Sequence, residues 1–164
     1  MVFSSLTFLY FYLPAVMIIY FICPNKFKNL FILISGLFFY AWGEPIYVLI
    51  MLLSTLIDYT AGRLIHHFDS DNKKRTLFLV ISVCMNIGLL AVFKYSSFFI
   101  ENINSVFGAD IYNPNLPLPI GISFYTFQSM SYTIDLYRRN IKVQRNFINF
   151  AAYVTLFPQI VAGP

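Results

Sequence analysis

Between Thr76 and Phe93 the chain runs for eighteen residues, TLFLVISVCMNIGLLAVF, without one charged side chain. A helix needs roughly 20 such residues to cross the hydrocarbon core of a bilayer. Five more apolar runs surround it: Leu6–Cys23, Asn29–Trp42, Ile46–His66, Leu118–Ile134 and Phe147–Val161. The second is short, and the third is interrupted only by Asp58 and Arg63. Charged residues make up 11% of the chain and hydrophobic ones 59%. Soluble domains run at about 25% and about 45–50% respectively, so a water-soluble fold of this composition would leave much of its surface uncovered. The 19 Phe and 12 Tyr also suit membrane interfaces. The expected fold is all-α, a polytopic transmembrane helix bundle of about six apolar segments.

The charges orient the bundle. Lys26 and Lys28 lie in the first loop, and Arg63, Lys73, Lys74 and Arg75 lie in or beside the third. Arg138, Arg139, Lys142 and Arg145 lie in the fifth, and Lys94 is the one remaining basic residue. Short loops rich in Lys and Arg stay cytoplasmic, which places the N-terminus outside and requires the short second run to span. A basic stripe of the kind that binds nucleic acid is missing. Cys23 and Cys84 sit in or at the end of apolar runs, without disulfide or metal-site spacing. No basic n-region or small-residue cleavage site marks Met1–Leu6, so the first run reads as a retained anchor.

In "FYAWGEP", Gly43 can end one helix and Pro45 can open the next. Glu44 then suits the positive end of a helix dipole, and Tyr40, Trp42 and Tyr47 suit an interfacial belt. The fourth loop places Tyr95, Phe98, Phe99, Ile103, Val106 and Phe107 on one helical face, opposite Glu101, Asn102, Asn104 and Ser105. An amphipathic helix lying in the outer interface or packed on the protein is expected there, followed by the turn-rich "GADIYNPNLPLP".

The fifth run carries the most polar groups. On a helix Tyr125, Gln128, Ser129, Tyr132 and Asp135 form one stripe, away from Ile120, Phe124, Phe127 and Ile134. Such a stripe avoids lipid and faces other helices or a wet cavity. It either makes interhelical hydrogen bonds or lines a path for a polar substrate; Pro117 and Pro119 permit a helix that starts below the surface, with free N–H groups toward a cavity. Tyr125, Gln128, Tyr132 and Asp135 are the substrate-path candidates.

The segments "FYAWGEP", "FKYSSFFIENIN", "LPLPIGISFYTFQSMSYTIDLYRR" and "QRNFINFAAYVTLFPQIVAGP" occur in this order. In that order and spacing the chain resembles the N-terminal part of a bacterial membrane-bound O-acyltransferase (MBOAT family), of the alginate O-acetylation branch, over essentially residues 2–164. The resemblance implies a multi-helix enzyme of the cytoplasmic membrane that takes an acyl group, in this branch acetyl, from a cytoplasmic thioester such as acetyl-CoA. It implies an exported polysaccharide or cell-wall polymer as acceptor, an extracytoplasmic acyltransferase as partner protein, and no resident cofactor or metal. The family's catalytic histidine falls beyond "FPQIVAGP", so no catalytic residue is assigned in this chain. The sixth run stops at Pro164 without a polar flank, and residues 1–164 read as the N-terminal portion of a longer protein, inactive alone.

Other residues have plainer readings. His66 and His67 with Asp69 could suggest a metal or a general base, but adjacent helical residues point about 100° apart and chelate poorly. Asp58, the most interior acid, sits a turn or two from the cytoplasmic end, where hydration or a basic neighbour is expected. Lys94 either snorkels from the fourth helix or attracts an acidic polymer. Ser123 has no G-x-S-x-G frame. A transporter or channel subunit would also use polar stripes and broken helices, although no inverted repeat is visible; a non-catalytic membrane scaffold is the other alternative.

Overall fold

A computed structural model describes residues 6–108, 110, 112–113 and 118–162. The chain is helical, with no strand among the described residues. A π-helical turn, Phe8–Tyr12, runs straight into α1 (Leu13–Ile22), and Pro14 just past the junction cannot donate the N–H that an unbroken ladder would use there. Then come α2 (Lys28–Gly43), α3 (Val48–His67), α4 (Asn72–Phe107), α5 (Ile122–Tyr137), α6 (Phe147–Val154) and α7 (Phe157–Ala162). Segments Val48–His67 and Asn72–Val106 are long and apolar enough to cross a membrane. Helix α1 buries none of its residues and leaves Phe21 and Ile22 bare, as a lipid-facing wall would.

Helices α3, α4 and α5 pack on one another in a triangle, while α2 packs on α6. The core joins Met51 and Ile65 of α3 to Ile122 and Tyr125 of α5, Phe150 of α6 and Ile160 of α7. Two contacts bring the basic loops to one end. Asn29 Nδ2 donates to Asn149 Oδ1 at 2.9 Å, joining the starts of α2 and α6. Arg139, after α5, donates to the carbonyl of Asp69, between α3 and α4, at 3.1 Å. At the opposite end the Ile120 N–H donates to Glu44 Oε2 at 3.0 Å. Glu44 therefore anchors the start of α5 rather than only facing a helix dipole. Gly121 caps α5 at φ +75°, where a Cβ would lie 2.5 Å from the Ile160 carbonyl oxygen, so both conformation and space demand glycine. Pro119 lies just before that cap, with its carbonyl accepting the Ile122 N–H at 3.2 Å; Pro117 lies outside the described residues.

Three expectations need correction. The separate interfacial helix of the fourth loop is the distal half of α4, which continues unbroken to Phe107. Neither Lys94 nor the change in polarity after it removes a backbone hydrogen bond, and a formed helix propagates until a breaker stops it. At ~1.5 Å per residue α4 is about 54 Å long, well beyond a ~30 Å hydrocarbon core. The sixth run is two short helices parted at Thr155 and Leu156, because Pro158 cannot donate the hydrogen bond that would continue α6. Tyr40 is buried against the Tyr125 ring, edge to face at 6.4 Å, and is no part of an exposed belt with Trp42.

Candidate functional site

The polar stripe of α5 divides along its length. Its first half is packed: Tyr125 is fully buried against Tyr40, and Gln128 is 4% exposed, its Nε2 donating to the Tyr153 carbonyl of α6 at 2.9 Å. That bond holds α6 to α5 where no hydrophobic force between helices acts in lipid. Ser129 and Thr133 turn their hydroxyls to their own helix, at Thr126 O (3.2 Å) and Ser129 O (3.3 Å).

The second half opens on a cavity. Tyr132 and Asp135 line a space of about 370 Å³, together with Ser131, Lys142, Gln144 and Tyr153. Tyr132 is held from three sides. Its hydroxyl accepts the Gln144 N–H at 2.9 Å. Its ring lies 4.6 Å from that of Phe150. Behind it stands Gly62 of α3, where a Cβ would meet the ring at 2.9 Å. Asp135 is half-buried, with Asn140 Nδ2 at 3.5 Å from its carboxylate. Of the four path candidates, the structure brings Tyr132 and Asp135 to this cavity and places Tyr125 and Gln128 in the packed interior.

Asp58 departs most from expectation. It is 0% exposed, with no basic residue in contact among the described residues. Its Oδ1 accepts from Ser82 Oγ and from Asn86 Nδ2, the latter at 2.7 Å, and Ser54 Oγ donates to Asn86 Oδ1 at 2.8 Å. Ser129 and Thr133 of α5 face the same carboxyl. The group thus ties α3 to α4 by hydrogen bonds instead of by an ion pair, beside α5.

A second cavity, of about 410 Å³, adjoins the first across the loop after α5 and is lined by His66, Asp69, Arg75, Arg139, Lys142 and Arg145, among apolar neighbours. His66 is therefore beside Asp69, as its sequence spacing suggested, but in a setting dominated by cations. Outside the membrane-spanning part, the Asp71 carboxyl caps α4 by accepting the N–H groups of Lys74 and Lys73, at 3.2 and 3.0 Å. The Lys74 backbone N–H, with the Lys74 charge behind it, holds that carboxyl below its usual range.

No family model matches the chain, and no solved structure does. Curated relatives do. A protein of Pseudomonas aeruginosa described as "Probable alginate O-acetylase AlgI" is 36% identical over 168 residues, covering 100% of this chain and 32% of the relative. A protein of the same description from Azotobacter vinelandii is 35% identical, with 34% of it covered. A peptidoglycan O-acetyltransferase of Helicobacter pylori is 29% identical over 193 residues, with 36% covered. The chain thus spans about a third of the length of these relatives. Over its whole length it is similar to proteins described as probable alginate O-acetylases, consistent with its resemblance to the alginate-type branch of the membrane-bound O-acyltransferases.

Proposed function

We propose that this chain is the N-terminal, helix-bundle portion of a membrane O-acetyltransferase that passes acetyl from a cytoplasmic thioester, acetyl-CoA or a related acyl donor, to hydroxyls of an exported polysaccharide. The observation that carries this reading is the match of the whole chain to proteins whose names state alginate O-acetylation and, at lower identity, peptidoglycan O-acetylation. Alginate or a cell-wall polymer is the acceptor, reached through an extracytoplasmic acyltransferase partner. The end of the bundle that gathers the basic loops is the cytoplasmic one, in the inner membrane, with the N-terminus outside. There the cavity at Tyr132 and Asp135 offers a polar wall to a donor approaching from the cytoplasm.

Transfer to a hydroxyl needs a group that takes its proton. Neither His66 nor His67 lies at the position of the family's catalytic histidine, so residues 1–164 supply helices and a substrate path, with the chemistry outside them. The reading is tested by deleting the gene and restoring it as the full-length protein or as residues 1–164. Polymer acetylation returns with the first and not the second. A deletion that leaves polymer acetylation unchanged overturns the acetyltransferase reading, and acetylation by residues 1–164 alone overturns the placement of the chemistry.

A further inference from the structure

We propose that the cavity of about 410 Å³ between the ends of α3, α4 and α5 binds a phosphate group. Its wall carries Arg75, Arg139, Lys142 and Arg145, with His66 beside them and Asp69 as the single acid. Asp69 is already shared: its Oδ1 lies 3.5 Å from Arg75 and 3.3 Å from Arg139. Lys142 and Arg145 have no ion-pair partner among the described residues. Net positive charge in one concavity draws anions to it.

Arg75 supplies an independent reason. It is 4% exposed, its Nη2 donates to the Tyr137 carbonyl at 2.7 Å, and its guanidinium lies 5.3 Å from the Tyr137 ring centre. Its Nε is nevertheless buried without a partner among the described residues. The Tyr137 contacts thus hold the guanidinium in place at the cavity wall, with one N–H not committed within the described residues. Arg139 has φ +64°, a left-handed conformation unfavourable for a side-chain-bearing residue. That conformation closes α5, with the Arg139 N–H donating to the Leu136 carbonyl at 3.1 Å and the Asn140 N–H to the Asp135 carbonyl at 3.0 Å, and the side chain then reaches Asp69. Guanidinium forks match phosphate oxygens in pairs, and basic pockets between membrane helices hold phosphorylated headgroups. The volume exceeds that of a bare ion and suits a headgroup or the phosphates of a soluble molecule.

The site stands apart from acetyl transfer, since a phosphate would be held there whatever reaction follows. Two titrations of the full chain in neutral detergent test it, one with inorganic pyrophosphate and one with phosphatidylglycerol, each repeated on Lys142→Gln/Arg145→Gln. Both side chains are exposed, so the variant keeps its fold, as its elution volume and helical circular dichroism will show. Saturable one-site binding is expected, weakened at least tenfold in the variant. Binding of pyrophosphate alone identifies a soluble phosphorylated molecule as the source, binding of the lipid alone identifies a headgroup, and binding of both shows that phosphate itself suffices. Saturable binding of neither probe, or equal binding by the variant, overturns the proposal.

Discussion

Two polar regions of this bundle sit only a few helical turns apart and solve opposite problems. Around Asp58 a lone acid is buried with no cation and is held by Ser82 and Asn86 of the facing helix. Around Arg75 the cations outnumber the one acid, and a cavity separates them. The first region is closed to solvent, with Asp58 Oδ1 held and Oδ2 buried without a partner among the described residues, and the second opens on a cavity. Polar groups in this chain therefore sort by whether a neighbouring helix covers them. Those packed under a neighbouring helix hold helices together, and those left facing a cavity are where we place a ligand.

The largest effect is expected where a packed group is removed. Asp58→Leu strands Ser82 and Asn86, two interhelical partners, and should cost about 1–3 kcal/mol at the measured worth of such bonds in membranes. Asp58→Asn should be close to neutral, because its amide can accept from Ser82 and Asn86 and donate toward Ser129 and Thr133. Unfolding in mixed micelles measures both. A collapse of Asp58→Asn alongside a tolerated Asp58→Leu would show that charge, not hydrogen bonding, holds the centre.

Gln128→Leu removes the bond to the Tyr153 carbonyl, and should cost about 0.6–1.7 kcal/mol by the same measure. At the open end, Lys142→Gln/Arg145→Gln should change stability by no more than about 0.5 kcal/mol, as exposed substitutions do. An equal loss at both ends would erase the distinction between packed and cavity-facing groups.

The smallest effect concerns Asp71. Its folded-state carboxyl titrates below the unfolded one, so the cap's contribution is complete above the ordinary carboxylate range of about 4 and fades as pH falls through the lower folded value. Amide exchange at Lys73 and Lys74 should quicken there relative to Asp71→Asn, whose cap does not titrate. No difference between the two would remove Asp71 from the account of how α4 starts.

The apolar runs were legible because their boundaries are chemical: lysines, arginines and helix breakers mark them. The short second run is helical over Lys28–Gly43, at 16 residues still shorter than the roughly 20 that cross a bilayer. What stayed hidden depended on packing. Ser82 and Asn86 lie 24 and 28 residues from Asp58, and nothing local in the sequence pairs them. The division of the α5 stripe was equally out of reach, because Gln128 and Tyr132 share a helical face and differ only in what α6 sets against them. The break after α6 had a signal in Pro158, outweighed by an apolar run that continues across it. Each basic residue of the second cavity was visible, but only the fold brings loops three and five together.

Sidedness can be read directly by introducing cysteines with Cys23 and Cys84 replaced. Positions in loops three and five should be shielded from an impermeant thiol reagent in intact cells, and Glu44→Cys should be labelled. The most direct measurement sets the two halves of α5 against each other. Asp135→Asn and Gln128→Leu are made in the full-length protein, and membrane abundance and polymer acetylation are read in the same cells. The account predicts that Asp135→Asn lowers acetylation at unchanged abundance, while Gln128→Leu loses activity only in step with abundance. Acetylation by Asp135→Asn that merely follows abundance would contradict it, and would leave the cavity at Tyr132 and Asp135 without a part in the reaction.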